Sequence, residues 1–151
     1  MEQGVTVSFE KGSVYTRGQI HEAVGGSARA ALPTRGGKVV CACLTREKNP
    51  RAPEEMVIGS KARAVRLARA FAASGEAVPV FVRTRRGGWE YTGDRRVRTV
   101  IEDPGALLAL VAEGAPLDIA AALQLEEAAG EALGAVVVTD VPRQSPAASG
   151  A

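Results

Sequence analysis

Apolar residues recur at intervals of three and four between residues 61 and 73, which is the spacing that lines one face of a helix. Ser60 precedes this stretch and is a natural N-cap, and Gly75 follows it as a residue that can end a helix. Residues 17–24 show the same spacing, with Thr16 as N-cap and a glycine pair as the stop. The pattern therefore predicts two helices in the first part of the chain.

Two more helices are predicted further along, and short apolar or alternating runs between turn residues predict the strands. One helix covers 103–112, where Asp103 is the cap and Pro104 takes the first position. The other covers the Ala- and Leu-rich residues 116–133. The predicted strands are 5–9, 38–44, 54–58, 77–82, 89–92, 95–101 and 135–139, separated by polar loops at 25–37 and 45–53 and by a hairpin turn at 83–88.

These strands are short, adjacent and mostly linked by hairpins, and the strand–helix alternation of a doubly wound nucleotide-binding fold is missing. The order of elements predicts an α+β fold, with a small, curved, mainly antiparallel sheet or open β-barrel on which the helices pack. A length of 151 residues suits a single core.

Charge divides the chain into two unequal parts. Residues 1–99 hold 18 Lys and Arg against 9 Asp and Glu, whereas residues 100–151 hold 1 Arg against 8 acids. An excess this large in one part is typical of a surface that faces a polyanion. We therefore expect a basic nucleic-acid-binding β-barrel domain over 1–101, an acidic helical extension with a last strand packed on it over 102–140, and a disordered tail over 141–151.

Few groups are available for metal or redox chemistry. His21 is the only histidine, and Cys41 and Cys43 lie two residues apart in an apolar run. On a strand these cysteines face the same side but are awkwardly spaced for a disulfide, so they are interpreted as free core thiols in a reducing cytoplasm. We expect no metal and no cofactor. No run of 18 apolar residues and no secretory signal is present, so membrane association is not expected.

Motifs of the common enzyme classes are absent. The sequence has no G-x-x-x-x-G-K-[ST] loop, no G-x-G-x-x-G after a strand and no H-E-x-x-H. A binding protein is therefore favoured over an enzyme, and a small hydrolase or nuclease that uses His21 stays as an alternative.

Arginines, glycine loops and aromatic residues supply what a nucleic-acid surface needs. Guanidinium groups and loop amides bind phosphate oxygens, and aromatic side chains can stack on a base taken out of the duplex. Trp89 and Tyr91 can equally be core or cross-strand residues, and His21 can equally be a half-buried residue bonded to a carbonyl or a donor lining a pocket. The candidate DNA-binding residues are Tyr15, Arg17, His21, Gly25, Gly26, Ser27, Arg29, Thr34, Arg35, Lys38, Arg46, Asn49, Arg51, Arg83, Arg85, Arg86, Trp89 and Tyr91.

Three short motifs carry a family resemblance. They are Y-x-R-x-x-I-H-x-x-x-G-G at Tyr15–Gly26, V-P-V-F-V at Val78–Val82 and W-E-Y-x-G at Trp89–Gly93. Together they resemble the modified-DNA-reading domains of McrA-like HNH endonucleases, including the sulfur-binding and methylcytosine-binding domains, and more loosely the SRA and PUA-like superfamily. The resemblance implies a β-barrel that grips duplex DNA and inspects one modified position, with Arg17, His21 and the 45–53 loop near the recognition surface. An HNH motif is absent, so the resemblance implies no cleavage.

The sequence thus predicts a domain that binds modified duplex DNA, carrying methylated or hydroxymethylated cytosine or phosphorothioate, without cutting it. A PUA-like RNA-binding module is the first alternative. A homodimer or a partner nuclease is a further possibility that the acidic part of the chain leaves open.

Overall fold

A thirteen-residue strand organises the fold, which is seen in a computed structural model that describes residues 9–128. In chain order the elements are β1 (Val14–Tyr15), α1 (Arg17–Val24), β2 (Thr34–Arg35), β3 (Lys38–Val39), β4 (Ala42–Leu44), β5 (Glu55–Gly59), α2 (Ala62–Ser74), β6 (Val78–Arg83), β7 (Trp89–Ile101), α3 (Pro104–Ala112) and β8 (Ile119–Glu127). The predicted strands at 5–9 and 135–139, apart from Phe9, and the predicted tail at 141–151 lie outside the described residues.

The main sheet has the strand order β4-β6-β7-β8-β5, and β1 pairs with β7 outside this path. All pairings are antiparallel except that of β4 with β6, which is parallel. β7 pairs with β6 along its first half and with β8 along its second half, so it joins two parts of the sheet. The sheet curls into a half-barrel, and the predicted α+β fold with a curved, mainly antiparallel sheet and packed helices is confirmed.

The long strand β7 corrects the prediction of two separate strands at 89–92 and 95–101. The strand continues through Gly93, with φ of +115°, where the register against β6 shifts because Thr92 and Gly93 lie opposite Val80 alone. A second shift lies between Val97 and Thr99, where β7 pairs with β8. Such irregularities increase local twist and curl a sheet.

The stretch predicted as a helix over 116–133 is instead strand β8 in its described part, in the middle of the sheet. Ala121, Leu123 and Leu125 face the main core with α2, while Ala122 packs with Leu110 of α3 on the other face. Pairing with β5 and β7 and burial on both faces override the helix propensity of Ala and Leu.

Three other predictions change in detail. The 38–44 run is divided into β3, which forms a small hairpin with β2, and β4, which joins the main sheet. Lys61, rather than Ser60, is the N-cap of α2, and it makes no side-chain capping bond. The strands are also less often hairpin-linked than predicted, because β4 pairs with β6 across β5 and α2. The ends of α1 and α3 are as predicted, with Thr16 and Asp103 as caps.

Candidate nucleic-acid interface

Strand ends meet at one edge of the sheet and enclose an open cleft of about 770 Å³. Because β4 and β6 are parallel and β7 returns antiparallel, the ends of the first two strands lie beside the start of the third. The start of α1, the start of α2 and the 45–49 loop complete the walls. The polar and aromatic side chains that line the cleft include Arg17, Arg29, Thr45, Glu47, Lys48, Asn49, Lys61, Arg83, Trp89 and Asp118.

A second hollow of about 670 Å³ adjoins the cleft and shares Thr45, Glu47 and Arg83 with it. It adds Arg46 and Arg85 to the same basic surface. Seven of the candidate residues therefore converge on this edge: Arg17, Arg29, Arg46, Asn49, Arg83, Arg85 and Trp89.

Six exposed basic residues around the two hollows, named here the cleft cations, form no ion pair within the described part of the chain. Nearby side-chain carboxylates are present, but none lies within ion-pair distance of these groups. Arg46 donates only to the carbonyl of Ala52, at 3.2 Å. Their charge is therefore available to an external anion. The cleft cations are Arg29, Arg46, Lys48, Lys61, Arg83 and Arg85.

Arg17 is held rigidly in the cleft wall. Its Nη2 donates to the carbonyl oxygens of Ser27 and Ala30 at 3.0 and 2.9 Å. Its Nε donates to Nε2 of His21 at 2.8 Å, and its guanidinium carbon lies 5.1 Å from the ring centroid of Trp89. This fork-shaped contact set ties α1 to the 27–30 loop and fixes a positive charge against the one indole of the chain.

Both ring nitrogens of His21 have a hydrogen-bond partner. Arg17 can only donate, so Nε2 of His21 accepts, and the Gly25 carbonyl can only accept, so Nδ1 donates to it at 2.9 Å. His21 is not part of the cleft wall, and its contacts make it a residue that positions Arg17.

Gly26 determines the course of the loop that Arg17 holds. Its φ is +83°, and a Cβ built there stands 2.7 Å from Cβ of Pro33 and 3.2 Å from the carbonyl oxygen of Thr34. Only glycine combines this conformation with so close an approach. The same loop carries Ser27, whose Oγ accepts from the amide of Arg29 at 3.1 Å.

The cleft also has features suited to a base rather than a phosphate. Glu47 and Asp118 line it, and carboxylates accept hydrogen bonds from exocyclic amino groups of bases. Beside it lies an apolar recess of about 300 Å³, walled by residues such as Ala31, Leu32 and Met56. Such a surface accommodates an apolar group of a ligand.

Two residues of the cleft wall have roles inside the protein. Buried Asn49 donates from Nδ2 to the carbonyl of Thr45 at 2.9 Å and accepts the amide of Val57 at Oδ1 at 2.7 Å, so it shapes the 45–53 loop. Cys43 lies at the cleft and is hydrogen-bonded to Cys41. That bond and burial raise the pKa of Cys41, which stays a protonated thiol.

The two candidate tyrosines lie outside the cleft, in an aromatic cluster with Phe9 and Phe81. The Tyr15 hydroxyl accepts the amide of Glu10 at 2.8 Å, and the Tyr91 hydroxyl donates to Asp94 at 2.6 Å. Burial, with the nearby Asp94 carboxylate, raises the pKa of Tyr91. The core interpretation of Tyr91 agrees with these contacts. Trp89 packs in part against the same cluster and also lines the cleft.

The remaining candidates are also outside the cleft. Arg51 forms a two-bond ion pair with Glu113, at 3.0 and 2.6 Å, and a longer one with Glu55. Lys38 pairs with Glu76 at 3.3 Å. Others belong to turns and hairpins away from the cleft wall, namely Gly25, Gly26, Ser27, Thr34, Arg35 and Arg86.

Four charged residues of the cleft were absent from the candidate set, namely Glu47, Lys48, Lys61 and Asp118. Lys48 and Lys61 had a sequence signal, since each stands in a basic loop or at the start of a basic helix. Asp118 had none, because it falls in the stretch interpreted as a helix. Among residues 9–128 no cluster of three or more His, Cys, Asp or Glu could hold a metal ion. In the same range no helix has the length and apolarity to cross a membrane.

Comparison with solved structures gives a match to the SRA domain of SUVH5 in complex with hemimethylated CG DNA. The TM-score is 0.57 at 12% identity, and the alignment covers 84% of this chain and 94% of that one. The chain therefore has an SRA-like fold, as the resemblance implied, whereas the link to McrA-like endonucleases stays a prediction. No protein-family model matches the chain, and no curated protein matches it.

Proposed function

We propose that this chain binds duplex DNA and reads a modified position, most simply a methylated cytosine, in the cleft. The observation that carries the proposal is the set of unpaired cations around a hollow that also contains Trp89 and two carboxylates. Phosphate contacts from these cations provide affinity, and the interior of the cleft provides discrimination.

Each group has a part in this proposal. The cleft cations hold the backbone of the duplex, and Arg17 with Trp89 forms a flat wall on which a base taken out of the stack can lie. Glu47 or Asp118 accepts from the amino group of a cytosine. The apolar recess receives the methyl group. The SRA domain with a similar fold was solved with hemimethylated CG DNA, which favours methylcytosine over phosphorothioate as the modification.

We propose binding without cleavage, with any cutting left to a partner nuclease. The only histidine has both ring nitrogens occupied, so it is not poised as a general base. RNA binding is the alternative that the basic surface alone would also serve, and the match to a DNA-bound SRA domain favours duplex DNA.

Binding to a panel of otherwise identical duplexes tests the proposal. The duplexes carry cytosine, 5-methylcytosine, 5-hydroxymethylcytosine or one phosphorothioate, and a structured RNA serves as competitor. Because Trp89 is the single tryptophan and lines the cleft, its fluorescence reports occupation directly, while anisotropy of a labelled duplex reports total binding. We expect roughly tenfold tighter binding to one modified duplex, corresponding to about one good base contact.

Equal affinity for plain and modified duplexes would remove the reading function and leave a basic DNA-binding domain. Preference for the RNA would favour the alternative. The same mixtures, incubated with Mg²⁺ and separated on a denaturing gel, test the absence of cleavage, and shortened strands would contradict it.

A further inference from the structure

Helix α2 carries a row of exposed arginines that the proposed function does not use. Arg63, Arg66 and Arg69, named here the α2 arginine row, follow one another at three-residue spacing, which places them side by side on the helix surface. Lys61 precedes them, and no acidic residue lies between Lys61 and Ser74. The helix therefore presents one sign of charge to the outside.

The charges of the row are hardly engaged within the protein. The side chains of Arg63 and Arg66 make no hydrogen bond or ion pair with any residue in the range 9–128. Arg69 approaches Glu102 only to 3.9 Å, and both side chains are mostly exposed, so this contact is weak. Nothing in the described structure explains why three arginines stand together.

The row also opposes the stability of its own helix. Lys61 is the N-cap without a side-chain capping bond, Arg63 lies in the first turn, and no acid is present there. Positive charge at this end is unfavourable to the helix dipole, and like charges at this spacing repel one another. Residues that break a local rule without a gain inside the fold are expected at functional surfaces.

The position of the helix relates the row to the cleft. Lys61 and Ala64 line the cleft, and Arg63 lines the adjoining apolar recess. From there the helix extends to Ser74, beside Lys38 of the β2–β3 hairpin. Its 13 residues span roughly 20 Å, about six steps along a DNA strand.

We propose that the α2 arginine row binds the backbone phosphates of duplex DNA on one flank of the position held in the cleft. This inference rests on the proposed function, because the nucleotide held in the cleft determines where the flanking duplex lies on the protein. The row supplies affinity and orientation and takes no part in reading the modification. The protein thus binds DNA at two places: the cleft reads the modified position, and the α2 arginine row binds the backbone independently of sequence.

The test compares Arg66→Ala/Arg69→Ala, the two arginines of the row that do not line the recess, with the matched pair Lys11→Ala/Arg96→Ala. The control also removes two positive charges, but from groups already paired with Glu127 and Glu126. Affinity is measured over a range of salt concentrations for modified and plain duplexes with long flanks. We expect the slope of log K against log salt to become shallower by about 1.8 in the row variant, roughly 0.9 for each lost phosphate contact, and to change little in the control. The ratio between modified and plain duplex stays the same.

Duplex length gives a second, independent readout. From Lys61 at the cleft to Arg69 the helix axis advances roughly 12 Å, or about four steps along a DNA strand. The wild type should therefore lose affinity when one of the two flanks is cut below about four base pairs, and the row variant should be insensitive to the same cut. Both substitutions place alanine in an exposed helix and should preserve folding, which circular dichroism checks. Arg66→Gln/Arg69→Gln replaces the variant if its melting curve changes.

The outcomes separate the two proposals. An unchanged salt slope, or an equal change in the control pair, would overturn the proposal that the α2 arginine row binds phosphates. Discrimination between modified and plain duplexes would in that case still support the proposed reading function of the cleft. Loss of discrimination in the row variant also overturns the inference, since it would make the row part of the reading site. Failure of the wild type to bind any duplex overturns both.

Discussion

Basic residues are concentrated in two regions of this protein, and they lack acidic partners in one region and form ion pairs in the other. Around the cleft, groups such as Lys48 and Arg83 have no acidic partner in the described chain. Where β8 ends beside the middle of β7, three cations lie against two glutamates of β8. Lys11 and Arg95 lie 2.6 and 3.6 Å from Glu127, and Arg96 lies 3.1 Å from Glu126. The residue types are the same, and the difference lies in what folding places beside them.

The difference shows that a count of basic residues does not locate a binding surface. Cations that pair within the fold gain little from a phosphate, because they must first give up a carboxylate. Unpaired cations release counterions when a polyanion arrives, and this release drives association. The β7–β8 end therefore contributes to holding the sheet together, and the cleft keeps its charge for a ligand.

The largest expected effect comes from removing unpaired charge at the cleft. In Lys48→Ala/Arg83→Ala the slope of log K for duplex DNA against log salt should become shallower by about 1.8, since each lost phosphate contact accounts for roughly 0.9. Both side chains are exposed, so the melting temperature should stay close to that of the wild type. Fluorescence anisotropy at several salt concentrations provides the measurement.

The paired end offers the matched comparison, because Lys11→Ala/Arg96→Ala also removes one lysine and one arginine. We expect that variant to retain the wild-type salt slope and to lose a little stability. If the two variants lost affinity equally, total charge rather than pairing would control binding, and the distinction between the regions would disappear.

A smaller effect should separate charge from geometry inside the cleft. Arg17→Lys keeps the positive charge but cannot reproduce the fork that contacts His21, Ser27 and Ala30. We expect about 1.5–3 kcal/mol lower stability from the lost charge-assisted bonds. DNA binding should weaken about tenfold as the 27–30 loop moves, which corresponds to about 1.4 kcal/mol. Urea unfolding and anisotropy measure the two effects.

Arg83→Lys is the control for that substitution, since Arg83 lines the same cleft but its side chain makes no hydrogen bond in the described chain. A lysine there should bind duplex DNA nearly as well as arginine. Equal losses for the two lysine variants would show that guanidinium geometry matters at every position, and the special role of Arg17 would be wrong.

Local signals in the sequence predicted α1 and α3 together with their caps. Thr16 forms a capping box with Gln19, and Asp103 caps α3 beside Pro104, because each motif is complete within four residues. β8 was predicted wrongly, because Ala and Leu favour a helix and its strand state depends on β5 and β7, which are distant in sequence. The same limit explains why β4 and β6 were not foreseen as a parallel pair.

The candidate site follows the same division. The basic excess and the candidacy of Arg17, Arg29 and Arg83 could be predicted from residue types and loops, but not which of the candidates would meet at one cleft. Which cations remain unpaired could not, because the partners are remote: Arg51 meets Glu113 62 positions away, and Lys11 meets Glu127 116 positions away. The sequence contains the charges, and only the fold determines their partners.

Arg51 gives the last and smallest test of the comparison, because it was a DNA-binding candidate and is now found paired with Glu113 and Glu55. Arg51→Ala should lower the melting temperature while leaving DNA affinity within about twofold, since screened surface charge acts weakly at a distance.

The hydrogen bond from Arg51 holds the pKa of Glu113 below the usual 4.5, so this contribution to stability is present above pH 4.5 and is lost as pH falls through the lowered pKa. The difference in melting temperature between wild type and variant should therefore shrink in acid. A large loss of affinity with unchanged stability would instead place Arg51 among the cations that bind DNA.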